Sequence, residues 1–107
     1  MATRRATWKD AEREIARRLP GPAVRVPVTG RQRGSTPDIE HARFSLECKH
    51  RKQVPLVITA AMAQAKAAAK GTAKIPLVAI HQAGDRYDET YLVLRLADLA
   101  ALIEGDA

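Results

Sequence analysis

Proline and glycine cut this chain into short pieces, and that punctuation restricts it to short helices and strands around one small core. Leu19-Pro20-Gly21 stops a helix predicted over residues 8–19, whose N-cap is Thr7 with Asp10 three residues on. On a helical wheel Trp8, Ala11, Ile15 and Leu19 form one stripe, with Arg13, Arg17 and Arg18 on its flanks or turned away. Residues 23–28 read as a strand, and 29–36 as a polar loop built on Gly30 and Gly34. Residues 38–42 and 44–50 read as an antiparallel pair of strands pivoting at Arg43. Pro55 suits the first turn of an alanine-rich helix over 56–70, which Gly71 ends. A buried strand at 75–81, a polar turn at 83–89, a last strand at 90–94 and a closing helix at 96–103 complete the chain. The expectation is an α/β fold, an α+β mixed sheet flanked by helices in the order αβββαβα, with residues 1–107 as one domain.

Charge narrows the partner. The 107 residues carry 18 Lys and Arg against 12 Asp and Glu, a formal net charge of +6. The first 74 residues hold a balance of +10 and the remainder −4. A basic body of this kind suits a polyanion, nucleic acid before membrane. No apolar run approaches the ~20 residues of a membrane span, and the basic start of the chain is followed by no apolar signal core. The lone Cys48 excludes a disulfide framework and fits a reducing compartment. Four aromatics, Trp8, Phe44, Tyr87 and Tyr91, are too few for a base-stacking single-strand binder.

Three carboxylates stand where solubility does not require them. Glu12 falls inside the arc of Trp8, Ile15 and Leu19, whereas Glu14 points to the solvent side. Glu12 is either an edge acid paired with a nearby arginine or part of a site. In the segment 44–49, period-two alternation puts Phe44, Leu46 and Cys48 on one face and Ser45, Glu47 and Lys49 on the other. An acid and a lysine side by side are a surface ion pair if that face is open, and need a reason if helices cover it. Pro37 delivers Asp38 to the start of a strand straight out of the glycine loop, where a plain turn aspartate is the alternative. Eight residues separate Asp38 from Glu47, so antiparallel pairing brings the two together. Paired carboxylates beside a backbone carbonyl form the oxygen-rich shell that Mg²⁺ or Mn²⁺ prefers. A lysine on the same face can hold the scissile phosphate and stabilise developing charge.

Pro37-Asp38, eight residues, then Glu47-Cys48-Lys49 resembles the PD-(D/E)xK nuclease signature, the restriction-endonuclease-like core. With Glu12-Arg13 on the first helix, Val26-Pro27-Val28-Thr29-Gly30 before the acids and His50-Arg51 after them, residues 8–52 look like the archaeal-type Holliday junction resolvases and their phage relatives. The likeness continues loosely to about residue 82. It implies a mixed sheet flanked by helices, Mg²⁺ as the metal with Mn²⁺ as substitute, and a homodimer acting on four-way DNA. By position it implies Glu12, Asp38 and Glu47 as metal-site acids and Lys49 as the catalytic lysine. Thr29 stands where the family places a loop hydroxyl, usually a serine, and Gln64 resembles a glutamine that faces the site in many of these nucleases. On the wheel Gln64 joins Val57, Ala61 and Ala68 on the expected inward stripe; the alternative is a flank amide bonded to a carbonyl. The chain is short for the family, its end is acidic, and Cys48 fills a position more often aliphatic.

Arg31 and Arg33 in the loop, with His50, Arg51 and Lys52 after the catalytic strand, are the expected DNA contacts, reading backbone rather than bases. Lys66, Lys70 and Lys74 recur every four residues, either as a ridge that tracks a backbone or as a solvated helix face. His41, Cys48, His50 and His81 have spacings that match no zinc pattern, and strand parity makes Cys48 a core residue facing away from Glu47. A nucleophile elbow and a Walker loop are absent. The expected function is a Mg²⁺-dependent endonuclease of DNA recombination and repair that cuts branched double-stranded DNA as a homodimer, in the cytoplasm of a prokaryotic or phage-infected cell. The alternatives are a duplex or nick nuclease of the same fold and a non-catalytic basic DNA-binding protein.

Overall fold

The structure is a computed structural model that describes residues 7–31 and 36–105. The chain groups into two compact units, residues 1–51 with 99–107, and residues 52–98.

The first unit opens with α1, Trp8–Arg18. Its capping box forms as the sequence requires: Asp10 N donates to Thr7 Oγ1 at 3.3 Å, and Thr7 N donates to Asp10 Oδ2 at 3.0 Å. Arg17 and Arg18 hold Glu14 on the outer face and pull its carboxyl pKa below the ordinary value, Arg18 contributing most. The inward stripe ends at Leu19, which is buried.

β1, Ala23–Arg25, pairs antiparallel with β2, Ile39–His41, which pairs antiparallel with β3, Ser45–Leu46. The β1 ladder extends one bond past its last residue, from Val26 N to Asp38 O at 2.9 Å, and then meets Pro27, which has no N–H to donate. A 3₁₀ turn, Val28–Gly30, follows. The hinge between β2 and β3 lies at Arg43, as expected. There Arg43 N donates to His41 Nδ1 at 3.0 Å, so the ring's Nε2 carries the proton and donates to Pro20 O at 2.7 Å. Gly21 lies beneath that ring with φ +91°, and a Cβ added there would stand 3.0 Å from His41 Nε2. Ile39 is the one fully buried side chain among the described residues.

The second unit holds α2, Leu56–Ala69, with Pro55 as N-cap rather than in the first turn. It also holds β4, Val78–Ile80, and β5, Tyr91–Val93, paired antiparallel. α3 is Leu96–Gly105, of which residues 96–98 group with the second unit and the rest with the first.

The fold is therefore mixed α+β, and two expectations are corrected. The described strands form a three-stranded and a two-stranded antiparallel sheet rather than one mixed sheet, and the order is αβββαββα, in which β5 is the last strand expected at 90–94 that the shorthand αβββαβα leaves out. The half-buried stripe of α2 runs through Ile58, Ala61, Met62, Ala65 and Ala69, while Val57, Gln64 and Ala68 are exposed. Alanine on nearly every side of this helix gives too little contrast to orient it. No helix among the described residues is long and apolar enough to cross a membrane.

Ile39→Ala removes the buried centre of the first unit. It should lower unfolding stability by about 2–5 kcal/mol, read as a reduced urea midpoint at unchanged m-value.

Candidate functional site

β2 and β3 fix the geometry. Ile39 pairs with Leu46, and the next bond runs from Asp38 N to that same Leu46 O at 2.9 Å, so the regular ladder stops there with Asp38 and Glu47 on the walls of one hollow. The spacing of eight residues thus does what the sequence implied. β3 ends at Leu46, however, and beyond it strand alternation no longer applies. Cys48 consequently does not turn away from its neighbours. Its N–H donates to Asp38 Oδ2 at 2.8 Å, and Cys48 lines the same hollow as Glu47 and Lys49, which corrects its assignment as a core residue. Burial pushes the Cys48 thiol pKa up, and the negative fields of Asp38, Glu12 and Glu47 push it the same way.

That open hollow, about 370 Å³, is also lined by Glu12 from α1 and by Asp38. The four residues carried by the resemblance (Glu12, Asp38, Glu47 and Lys49) therefore share one concavity, with Trp8, His50 and Arg51 completing its wall. Glu12 is only 3% exposed. A carboxylate that deep requires compensating charge, since removing an ion from water costs several kcal/mol. Two arginines supply it. Arg25 Nε donates to Glu12 Oε2 at 2.9 Å, and Arg31 Nη2 donates to Oε2 at 2.7 Å and to Oε1 at 3.1 Å.

Arg31 is the centre of the arrangement and not the solvent-facing phosphate contact that its loop position suggested. Its Nη1 pairs with Asp38 Oδ1 at 2.9 Å, and its Nε donates to Val26 O at 2.9 Å, so all three nitrogens are engaged. Hydrogen bonding to Glu12 raises the Arg31 pKa above its ordinary value; the charges of Asp38 and Glu47 add to that, while desolvation opposes it. Glu47 and Lys49 are exposed at the rim and make no hydrogen bond or ion pair among the described residues.

The donors suit a hard divalent cation: three carboxylates line the hollow, with the Trp8 ring and basic side chains beside them. As they stand they do not close on a single point. Among the described residues no three His, Cys, Asp or Glu side chains are grouped to hold an ion, and the cation that Glu12 and Asp38 face is the Arg31 guanidinium.

Other expected site residues lie elsewhere. Thr29 is exposed in the 3₁₀ turn and does not line the hollow. Gln64 is exposed on α2, because the true inward stripe runs along another side of that helix. His50 and Arg51 are exposed and line the hollow, Lys52 is exposed in the second unit, and Arg33 lies outside the described residues. Lys66, Lys70 and Lys74 do not form a helical ridge, since α2 ends at Ala69; with Arg95 they line a separate hollow of the second unit. Arg25 is the participant that sequence reading missed. Its signal was available: Arg25 occupies the half-buried face of β1, and an arginine on a covered strand face requires an acid opposite it.

Glu12→Gln leaves two partly buried guanidiniums short of their counter-charge. It should cost about 2–4 kcal/mol in chemical denaturation, well beyond the ~0–1 kcal/mol expected for breaking an exposed pair through Glu14→Gln. Cys48 should react with iodoacetamide at pH 8 more slowly than free cysteine, because less of it is thiolate; a rate equal to or above that of free cysteine would contradict the acidic, desolvated setting. No protein-family model, curated protein or solved structure matches this chain, so any functional reading rests on its own residues.

Proposed function

We propose that this chain is a metal-dependent, structure-specific DNA endonuclease that hydrolyses phosphodiesters at four-way junctions. The observation that carries the reading is the meeting of Glu12, Asp38, Glu47 and Lys49 at one hollow, delivered by a helix and a strand pair from positions far apart in sequence. That constellation accords with the PD-(D/E)xK resemblance of Pro37-Asp38 and Glu47-Cys48-Lys49.

Glu12, Asp38 and Glu47 would hold Mg²⁺, with Mn²⁺ as substitute. When bound, such an ion supplies Lewis acidity at a phosphoryl oxygen and an activated water near neutral pH. Lys49 projects from the rim beside Glu47, where its ammonium stabilises charge developing on the phosphate. His50 and Arg51 extend that positive rim and meet backbone phosphates, which orients the duplex without reading bases. Thr29, which does not line the hollow, has no part in this scheme.

A homodimer provides the two cuts that symmetric resolution of a junction needs. Leu56 (78% exposed) and Leu92 (60% exposed) leave apolar surface for self-association. The proposed setting is the cytoplasm of a prokaryotic or phage-infected cell, in DNA recombination and repair. The engagement of Glu12 and Asp38 by Arg31 favours a second reading, a non-catalytic basic DNA-binding protein whose acids serve only as structural partners.

Synthetic four-way junctions and linear duplex, each incubated with protein in Mg²⁺ or EDTA, separate these readings. Paired symmetric nicks in Mg²⁺ alone are expected. Duplex cutting points to a repair or restriction-like nuclease, and binding without cutting to the second reading. Asp38→Asn and Glu47→Ala should abolish cleavage while retaining or tightening DNA binding, because a negative charge near phosphate is lost. Lys49→Ala cutting at the wild-type rate would remove Lys49 from the chemistry.

A further inference from the structure

Arg31 sits where the negative charge of the hollow converges. It spends three nitrogens on Glu12, Asp38 and the Val26 carbonyl, and is itself largely buried, at 18% exposure. We propose that Arg31 is an exchangeable internal counter-ion: it neutralises Glu12 and Asp38 until a divalent cation replaces it, so that cation loading and release of the guanidinium are one step. The inference rests on the metal-dependent reading above.

Charge makes the two occupants mutually exclusive. A divalent ion bound between Glu12 and Asp38 would stand within a few ångströms of Arg31 Nη1 and Nη2, and like charges at that separation repel strongly in a partly desolvated site. Every oxygen of the two carboxylates already accepts from protein: Oε1 and Oε2 of Glu12 from arginines, Oδ1 of Asp38 from Arg31, and Oδ2 from Cys48 N. A carboxylate oxygen holding one donor keeps a second lone-pair direction, so what bars a cation is the positive charge seated between the two acids rather than a lack of lone pairs. Arg25 and Cys48 N can stay, because each approaches one oxygen only. Arg31 is the donor that spans both acids, and so the one a bridging cation must displace.

The freed guanidinium then needs another anion. A DNA phosphate offers the planar two-oxygen acceptor that arginine matches best, and His50 and Arg51 already line the same hollow. Cation and DNA thus help one another: the cation takes the carboxylates and the phosphate takes Arg31. By linkage each tightens the binding of the other by the same factor.

Trp8 is the chain's single tryptophan and lines the hollow, so quenching of its fluorescence by paramagnetic Mn²⁺ reports occupancy without any cleavage assay. In the full chain, Arg31→Gln should bind Mn²⁺ about tenfold more tightly than wild type. Its Tm should fall in EDTA and recover on adding Mn²⁺, a rescue that a purely structural arginine would not show. Arg31→Lys keeps a charge but cannot span both acids. It should fold where Arg31→Gln does not and still bind Mn²⁺ about threefold more tightly than wild type. Saturable quenching of equal affinity in wild type and both variants overturns the exchange while leaving the cation site standing. Absence of saturable quenching in wild type and variants alike overturns the metal-dependent reading and the exchange with it.

Discussion

A carboxylate removed from water and answered by two guanidiniums holds the first unit's polar interior together. Glu12 comes from α1, Arg25 from β1, and Arg31 from the end of the 3₁₀ turn, so one buried side chain ties three separate segments to one point. Through Arg31 the tie reaches Asp38, and through the Cys48 amide it reaches the chain leaving β3. Hydrophobic burial alone could not fix these positions, because the described core of that unit is thin: Leu19 and Ile39 are its buried apolar side chains. Directional, charge-assisted bonds specify geometry where packing is sparse.

The sheet performs the complementary task. Antiparallel register is set by short ladders and a tight hinge, and a slip of one residue would turn Asp38 and Glu47 to the opposite face. The His41 ring guards against that slip. It is held between the Arg43 amide and the Pro20 carbonyl, stacks on Phe44 with ring centroids 5.2 Å apart, and closes over Gly21. The hinge that sets the register is thereby fastened to the chain leaving α1. Sequence features with no chemistry of their own, Gly21 and His41, thus help determine where the acids meet.

Much of this was legible in the sequence, and for identifiable reasons. The capping box of Thr7 and Asp10, the inward position of Glu12 and the hinge at Arg43 each follow from a local rule with a strong energetic basis. The approach of Asp38 and Glu47 follows from counting residues across a hairpin. The failures share another cause. Parity holds only within β3, which ends at Leu46, so alternation carried beyond it puts Cys48 on the wrong side. The residues of α2 are too alike to orient its wheel, so a stripe through Gln64 looks inward although Gln64 is exposed. A glycine-flanked loop suggests that Arg31 meets a DNA phosphate, and nothing local to it reveals which distant acids will claim it. Long-range ion pairing leaves little local trace in sequence; a buried acid implies a buried base but does not say which one.

Three acids drawn into one hollow face a difficulty that any such arrangement must solve. Unscreened carboxylates repel, and a protein that relied on an external ion to separate them would be least stable whenever that ion was scarce. An arginine already seated between two of them removes the problem without adding a ligand, and at 18% exposure it still has a path to solvent. The third acid, Glu47, is left at the rim, where water moderates its charge and Lys49 stands beside it. Burial and exposure thus divide the work: Glu12 and Asp38 are fixed by partners, while Glu47 and Lys49 keep the freedom to meet an incoming group. A hollow with a pre-arranged floor and an uncommitted rim can remain folded when empty and still respond to charge arriving from outside.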